Sequence, residues 1–340
     1  MARKSRQSEP LEALEPSGPR AGEGEGEGEG EGEAFAAPTS RHQQILSVLR
    51  SMLGAVQNSQ FLVATFDASG FPTSQMRIDR PFDLPSAMVI GRHQRCALWV
   101  RGDSSVSLRH VLLTIWQGVE GMLRMRAYDL GGRGGILLAD GQRVDGVLAE
   151  SHLGIVVGTS TLFVLPGGDA GIQLLEGATE EVHRRLTRVS RDDLSIMEGL
   201  ECLPGLAHVG GYRNSDAIER PNDFRGELRL SAPRSTLGRV ESRTLEVDAG
   251  QLRQGLLIGR YSDRCSLAGS GRNLSRVHAL VCEESPNTLL VYDLASTNGV
   301  RPIDDPDGPS RAVVRLTPDA PCLLGHFELS WTPFAPPTVH

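Results

Sequence analysis

Residues 255–300 read GLLIGRYSDRCSLAGSGRNLSRVHALVCEESPNTLLVYDLASTNGV, and two kinds of segment alternate along them. Apolar, β-favouring runs (Gly255-Leu-Leu-Ile258, Ala279-Leu-Val-Cys282, Leu289-Leu-Val-Tyr292) are separated by polar stretches rich in Gly, Ser, Asn and Arg. That spacing predicts short strands joined by loops, as in a β-sandwich. The loops carry three polar groups in order: Gly259-Arg260, then Ser275-Arg276-Val277-His278, then Ser296-Thr297-Asn298-Gly299. Loops at one end of a sandwich converge on one face. Guanidinium, hydroxyl and amide groups would meet there. They include no activated nucleophile and do not form a zinc-ligand set. They do form an array of hydrogen-bond donors suited to a dianionic, tetrahedral oxyanion such as phosphate.

With these three segments in this order, the region 226–334 resembles the forkhead-associated (FHA) family. The resemblance implies an eleven-stranded β-sandwich whose apical loops bind phosphothreonine peptides. Carried over residue by residue, it implies that Arg260 and Ser275 contact the phosphate and that Thr297 shapes the threonine pocket. It further implies that Asn298 bonds the peptide backbone, that Arg276 lies beside the phosphate or flanking peptide, and that Gly259, His278 and Gly299 are structural. The two glycines are read as turn residues, and His278 as a hydrogen-bonded loop support. One departure from the family is the run Arg301-Pro-Ile-Asp-Asp-Pro-Asp-Gly308, whose Asp304, Asp305 and Asp307 would disfavour acidic peptides.

The same order occurs once more upstream. Ile90-Gly91-Arg92 is repeated 168 positions later as Ile258-Gly259-Arg260, and Ser107 and His110 are repeated at the same offset as Ser275 and His278. Arg95-Cys96 returns as Arg264-Cys265, and Tyr128-Asp129-Leu130 as Tyr292-Asp293-Leu294. Shared order and spacing across polar residues indicate a duplicated domain. The first copy diverges: Leu108 replaces the motif arginine, with Arg109 beside it, and Gly131-Gly-Arg-Gly-Gly135 stands in place of Ser-Thr-Asn-Gly. Arg92, Ser107 and Arg109 therefore constitute a possible second, weak site. Arg133 could add charge, and the glycine loop could offer backbone N–H groups.

The expected organisation, all-β overall, follows from composition along the chain. Residues 1–40 are expected to be a disordered acidic tail, because Gly22 to Glu33 alternates Gly and Glu with nothing apolar to bury. An amphipathic helix is expected over 41–57. Ser40 and Gln43 have capping-box spacing, and Ile45, Val48, Leu49, Met52, Leu53 and Val56 form one stripe. A divergent sandwich follows at 60–168. Residues 169–225 are expected to be a helical connector with a second short helix at Ser190 to Met197, a Gly/Asn/Pro/Arg linker over Gly210 to Gly226 and a flexible joint.

Composition excludes several function classes. Of 35 basic residues only Lys4 is a lysine, which argues against a Walker A loop, a protein kinase and a Schiff-base enzyme. The net charge of −7 argues against a general nucleic-acid binder. No run approaches the roughly 18 apolar residues of a membrane span, and the basic N-terminus has no apolar region after it. The five cysteines, Cys96, Cys202, Cys265, Cys282 and Cys322, lack C-x-x-C spacing and read as free thiols in a reducing, cytoplasmic compartment. No cofactor, metal or catalytic residue is expected. The expected function is an adaptor that docks on proteins phosphorylated on threonine by an upstream Ser/Thr kinase. The alternative is a structural scaffold that uses the same folds without reading phosphate. Thr39 is a further idea, as a site that could be phosphorylated and bound by the second sandwich.

Overall fold

The computed structural model describes residues 38–81, 83–117, 123–132, 134–187, 224–232, 242–285 and 287–334. The Gly/Glu tail, Arg133, Cys202 and the helix expected at Ser190 to Met197 lie outside the described residues.

The first sandwich contains β1 (Gln60–Phe66), β2 (Pro72–Asp79), β3 (Ser86–Gly91), β4 (Leu98–Trp99), β5 (Val111–Gln117), β6 (Leu123–Asp129), β7 (Ile136–Leu137), β8 (Arg143–Val144), β9 (Gly146–Glu150), β10 (Leu153–Val157) and β11 (Ser160–Pro166). Its sheets run β2-β1-β11-β10-β7-β8 and β4-β3-β5-β6-β9. The second contains β12 (Phe224–Ser231), β13 (Ser242–Asp248), β14 (Leu256–Gly259), β15 (Leu267–Ala268), β16 (Ala279–Ser285), β17 (Thr288–Asp293), β18 (Val300–Pro302), β19 (Val313–Leu316), β20 (Cys322–Leu324) and β21 (Phe327–Pro333). Its sheets run β13-β12-β21-β20-β18 and β15-β14-β16-β17-β19.

The two strand orders match element for element, including the parallel pairs β3/β4 and β14/β15. Only β8 has no counterpart. The first sandwich thus has the eleven strands the resemblance implies for the second, while the second shows ten among the described residues. Where β8 would pair, the second copy carries the proline- and aspartate-rich loop 303–312, which contributes a single bridge from Val300 to Arg311. Prolines at 306 and 309 cannot donate to a ladder.

Each sandwich has its own core. Ile90, Leu113, Ile155 and Val164 lie in the first, and Ile258, Val281, Val291 and Trp331 in the second. A third buried cluster joins them. Val89, Leu112, Tyr128 and Leu130 of the first copy pack against Leu257, Leu280, Leu290 and Tyr292 of the second. The sheets β4-β3-β5-β6-β9 and β15-β14-β16-β17-β19 therefore meet face to face. This explains why every residue of Val111–Ile115 and Leu289–Tyr292 is buried, with Thr114 the single polar side chain among them. Strands covered on both sides need no polar alternation. The Tyr128 hydroxyl lies 3.3 Å from Cys282 Sγ across this seam. The flexible joint expected in the connector falls within 188–223, outside the described residues, while the sheets themselves share one buried apolar cluster.

α1 (Pro38–Leu53), α2 (Gly168–Leu174) and α3 (Thr179–Thr187) cover the outer face of the six-stranded sheet, and α4 (Ala249–Gln254) precedes β14. Ile45, Leu46, Leu49 and Leu53 pack there against Leu62, Phe66, Phe163 and Leu165. α1 starts and stops earlier than the expected 41–57. A proline is well suited to a helix start, where its missing N–H is one of those left unpaired anyway. The helix ends before Gly54, the residue with the poorest helix propensity there. Val56 is buried all the same, in the turn that follows. The expected linker over Gly210 to Gly226 is also corrected at its end, since β12 begins at Phe224. Gly226 sits in the sheet because a Cβ there would lie 2.3 Å from Thr332 O. No helix among the described residues is long and apolar enough to cross a membrane. Cys96, Cys265, Cys282 and Cys322 are free and buried.

Candidate functional site

Arg260 follows the end of β14, Ser275 and Arg276 precede β16, and Thr297 and Asn298 lie between β17 and β18. Backbone hydrogen bonds tie the first two segments together. Arg260 N–H donates to Ser275 O and Tyr261 N–H to Arg276 O, both at 2.9 Å. The approach is so close that a Cβ on Gly259 would lie 2.4 Å from Arg276 O. Gly259 is therefore required by contact, and its φ is not positive, contrary to the expectation of a turn glycine. Gly299 does have a positive φ, 72°.

His278 is fully buried and organises all three segments. Its Nδ1 accepts the Ser275 N–H at 3.1 Å. The ring proton must then reside on Nε2, which lies 3.0 Å from both Gly299 O and Ser296 Oγ. Ser296 Oγ also accepts the Gly299 N–H at 2.9 Å, and Ser296 N–H donates to Asp293 Oδ1 at 3.2 Å. Burial holds the His278 pKa below the usual histidine value, although the Gly299 bond and Asp293 oppose this. A neutral ring with both nitrogens engaged supports the loops and is not available as a base.

Thr297 N–H donates to Ser275 Oγ at 3.0 Å, which leaves the Ser275 hydroxyl proton free to donate outward. The Arg260 and Thr297 side chains are exposed, and Arg260 has no ion pair or side-chain hydrogen bond among the described residues. The structure thus brings Arg260, Ser275 and Thr297 together. Asn298 is partly committed, because its amide donates to Asn273 O at 2.7 Å. Arg276 is exposed and lines a different cavity from the one lined by Thr297 and Asn298. Of the acidic run, Asp305 pairs with Arg311 at 3.6 Å. Arg301 bonds Gly308 O at 2.8 Å and Asn298 O at 2.6 Å.

The first copy has the same skeleton. His110 Nδ1 accepts the Ser107 N–H at 3.0 Å, and its Nε2 lies 3.0 Å from Gly135 O. Gly132 N–H donates to Asp129 Oδ1 at 2.9 Å. Gly131 and Gly135 have φ of 77° and 66°, matching Ala295 and Gly299 at 53° and 72°. Cys96 and Cys265 make the same bond, to Leu108 O and Arg276 O. What differs is the side chains. Gly132 stands where Ser296 stands, so near the ring that a Cβ would lie 2.5 Å from His110 Nε2. Arg92 is exposed and Ser107 half-buried, but Arg109 is committed to the second copy. Its Nη2 donates to Ala295 O of the second copy at 2.7 Å, and Arg95 Nη1 reaches Ser296 O at 3.3 Å. Two guanidinium groups of the first sandwich thus brace the Ser-Thr-Asn-Gly turn of the second at a non-glycine residue of positive φ. Sequence reasoning missed this brace and the structural part of the Ser296 side chain. The only available signal was Gly131, the repeat counterpart of Ala295.

No family model and no curated protein matches the chain. Solved structures do. The FHA domain of a Chlamydia trachomatis protein is 21% identical, with 32% of this chain and 99% of that one covered, at a TM-score of 0.26. The FHA domain of an Arabidopsis thaliana hypothetical protein is 20% identical, with coverage of 35% and 95% and a TM-score of 0.25. Mycobacterium tuberculosis EmbR in complex with a low-affinity phosphopeptide is 16% identical, with coverage of 51% and 38% and a TM-score of 0.23. On its strand order and its repeated loop skeleton, the chain folds as two forkhead-associated-type β-sandwiches.

Proposed function

We propose that the chain is a phosphothreonine-dependent adaptor that docks on partner proteins phosphorylated by Ser/Thr kinases, through the apical loops of the second sandwich. The observation that carries this is the cluster of Arg260, the Ser275 hydroxyl and Thr297 on a turn pre-set by His278 and Ser296. Arg260 has no side-chain partner among the described residues, and the Ser275 hydroxyl has a proton to give. A phosphoryl group brings about −1.5 to −2 charge and three acceptor oxygens, which these donors satisfy. In this reading Asn298 exchanges its bond to Asn273 O for one to the peptide backbone, and the exposed Thr297 borders the threonine methyl. Nothing in the site activates water or a nucleophile, so binding is the whole reaction.

The test is capture of a degenerate phosphothreonine peptide library by the full chain, beside phosphoserine and unphosphorylated versions. The full chain is required because the second sandwich alone would expose the sheet that packs on the first. Selective capture of phosphothreonine peptides is expected, and phosphate-independent or absent capture by folded protein overturns the reading.

A further inference from the structure

The first sandwich faces the second across a cavity of about 470 Å³. Four arginines line it: Arg92 and Arg109 from the first copy, and Arg264 and Arg276 from the second. Asp263 is the one acidic residue among the lining residues. Arg92, Arg264 and Arg276 have no ion pair or side-chain hydrogen bond among the described residues. The Nε of Arg109 is buried without a partner, while its Nη2 is spent on Ala295 O. So many uncompensated cations around one concavity set up a field that favours a multiply charged anion. Ser107 lies in the same wall, at the position corresponding to the phosphate-contacting Ser275.

We infer that this cleft binds a second phosphorylated side chain of the partner protein, in a composite site made by both sandwiches. The first copy keeps Arg92 and Ser107 but lacks the hydroxyl and amide side chains of a Ser-Thr-Asn-Gly turn. Arg264 and Arg276 of the other copy supply the missing donors. The inference rests on the proposed reading of the second sandwich, because Arg276 belongs to its recognition loop and also forms part of this cleft. A peptide held at Arg260 and Ser275 is thereby adjacent to a second basic subsite. The cleft has no counterpart of the Thr297–Asn298 pair, so it takes phosphoserine as readily as phosphothreonine. Its volume suits a phosphorylated side chain and its neighbours rather than a nucleic-acid duplex.

The first probe is phenyl phosphate, titrated into isotope-labelled full-length protein while the arginine Nε–Hε resonances are followed. Arg260 and, separately, Arg92 and Arg264 are expected to shift. In an Arg260→Ala variant the cleft arginines still shift. In an Arg92→Ala/Arg264→Ala variant Arg260 still shifts and Arg109 does not. Both substituted side chains of that variant are exposed, and an unchanged thermal melt establishes that it is folded. If Arg260 responds while Arg92 and Arg264 do not, the cleft site is overturned and the reading of the second sandwich survives. The reverse outcome sinks that reading and leaves an anion site in the cleft.

The second probe is a peptide from the library selection carrying one fixed phosphothreonine and a second phosphorylated residue at varied spacing. The best doubly phosphorylated peptide is expected to bind at least about tenfold tighter than the singly phosphorylated one, with the gain abolished by Arg92→Ala/Arg264→Ala. No gain at any spacing, or equal competition by a single-stranded oligonucleotide of matched charge, overturns the assignment.

Discussion

The turns 131–135 and 295–299 occupy the same place in the two sandwiches and share a hydrogen-bonded skeleton, yet only the second carries the hydroxyl and amide side chains of Ser-Thr-Asn-Gly. In both, a buried histidine accepts the N–H of a serine through Nδ1 and faces the last glycine's carbonyl through Nε2. In both, an aspartate receives the N–H of the second turn residue. The comparison separates what shapes such a loop from what the loop binds. Histidine, aspartate and the positive-φ positions shape it, and the side chains at its middle are the ones the proposed reading assigns to binding. It also shows that the two copies are not independent. The first copy's turn is relaxed by Gly131, whereas the second places Ala295 at a φ of 53°, with Arg109 bonded to its carbonyl and Arg95 to that of Ser296.

Arg260→Ala is expected to separate the turns most sharply. It should cost about 2–5 kcal/mol of phosphothreonine-peptide binding, the range for removing one partner of a tight charge pair. Arg92→Ala should leave the affinity for a singly phosphorylated peptide close to wild type, and calorimetry on both variants measures the contrast. Next come the histidines. His278→Ala and His110→Ala each leave a buried N–H and a buried carbonyl without their partner, at about 2–4 kcal/mol of stability. Denaturant unfolding should show similar losses, while peptide binding should fail only in His278→Ala.

His278 also gives the comparison a pH dependence. Its folded pKa is lowered, chiefly by burial, so the unfolded chain takes up the proton more readily. Stability contributed by the neutral ring is intact above the ordinary histidine value, near 6.5, and is lost as pH falls below it. A melting temperature that stays constant on acidification from pH 7.5 to 5.5 would contradict this.

A smaller effect is expected from the brace. Arg109→Ala removes a charged donor from Ala295 O, and affinity for a singly phosphorylated peptide should fall by about 1–2 kcal/mol although Arg109 is not part of the Arg260, Ser275 and Thr297 cluster. Adding Ala295→Gly should restore part of it if relieving the positive φ replaces the brace. Smallest is the backbone swap itself. Gly131→Ala should destabilise by about 1 kcal/mol or slightly more, and Ala295→Gly should be neutral or stabilising by less than about 1 kcal/mol. Equal and same-signed changes would mean the two turns are not equivalent.

Much of this was legible in sequence because it is local. Short apolar runs bounded by turn residues specify strands, and Gly-Arg, Ser-Arg-x-His and Ser-Thr-Asn-Gly specify the loops between them. The repeat was legible because polar residues kept their spacing. What could not be read depends on contacts between copies. Arg109 looks like a displaced motif arginine beside Leu108, and only the packing of the two sheets brings it to Ala295. The apolar runs at Val111–Leu113 and Leu289–Tyr292 did carry a signal for a second buried face, since a sandwich with one wet face would alternate. Gly259 and Gly226 were misread because glycine serves both turn angles and close approach, and a sequence does not distinguish them.

The seam between the sandwiches has one more consequence. Tyr128, Leu112 and Val89 on one side and Leu280, Leu290 and Tyr292 on the other form an interface of the kind that joins separate subunits. Buried apolar contact thus holds the two halves together independently of their covalent connection. Two polypeptides ending and starting within 188–223, produced in the same cell, would assemble into a heterodimer with both sets of loops in place. In such a pair the first copy, whose own turn lacks the Ser-Thr-Asn-Gly side chains, would still supply Arg109 and Arg95 to its neighbour's turn.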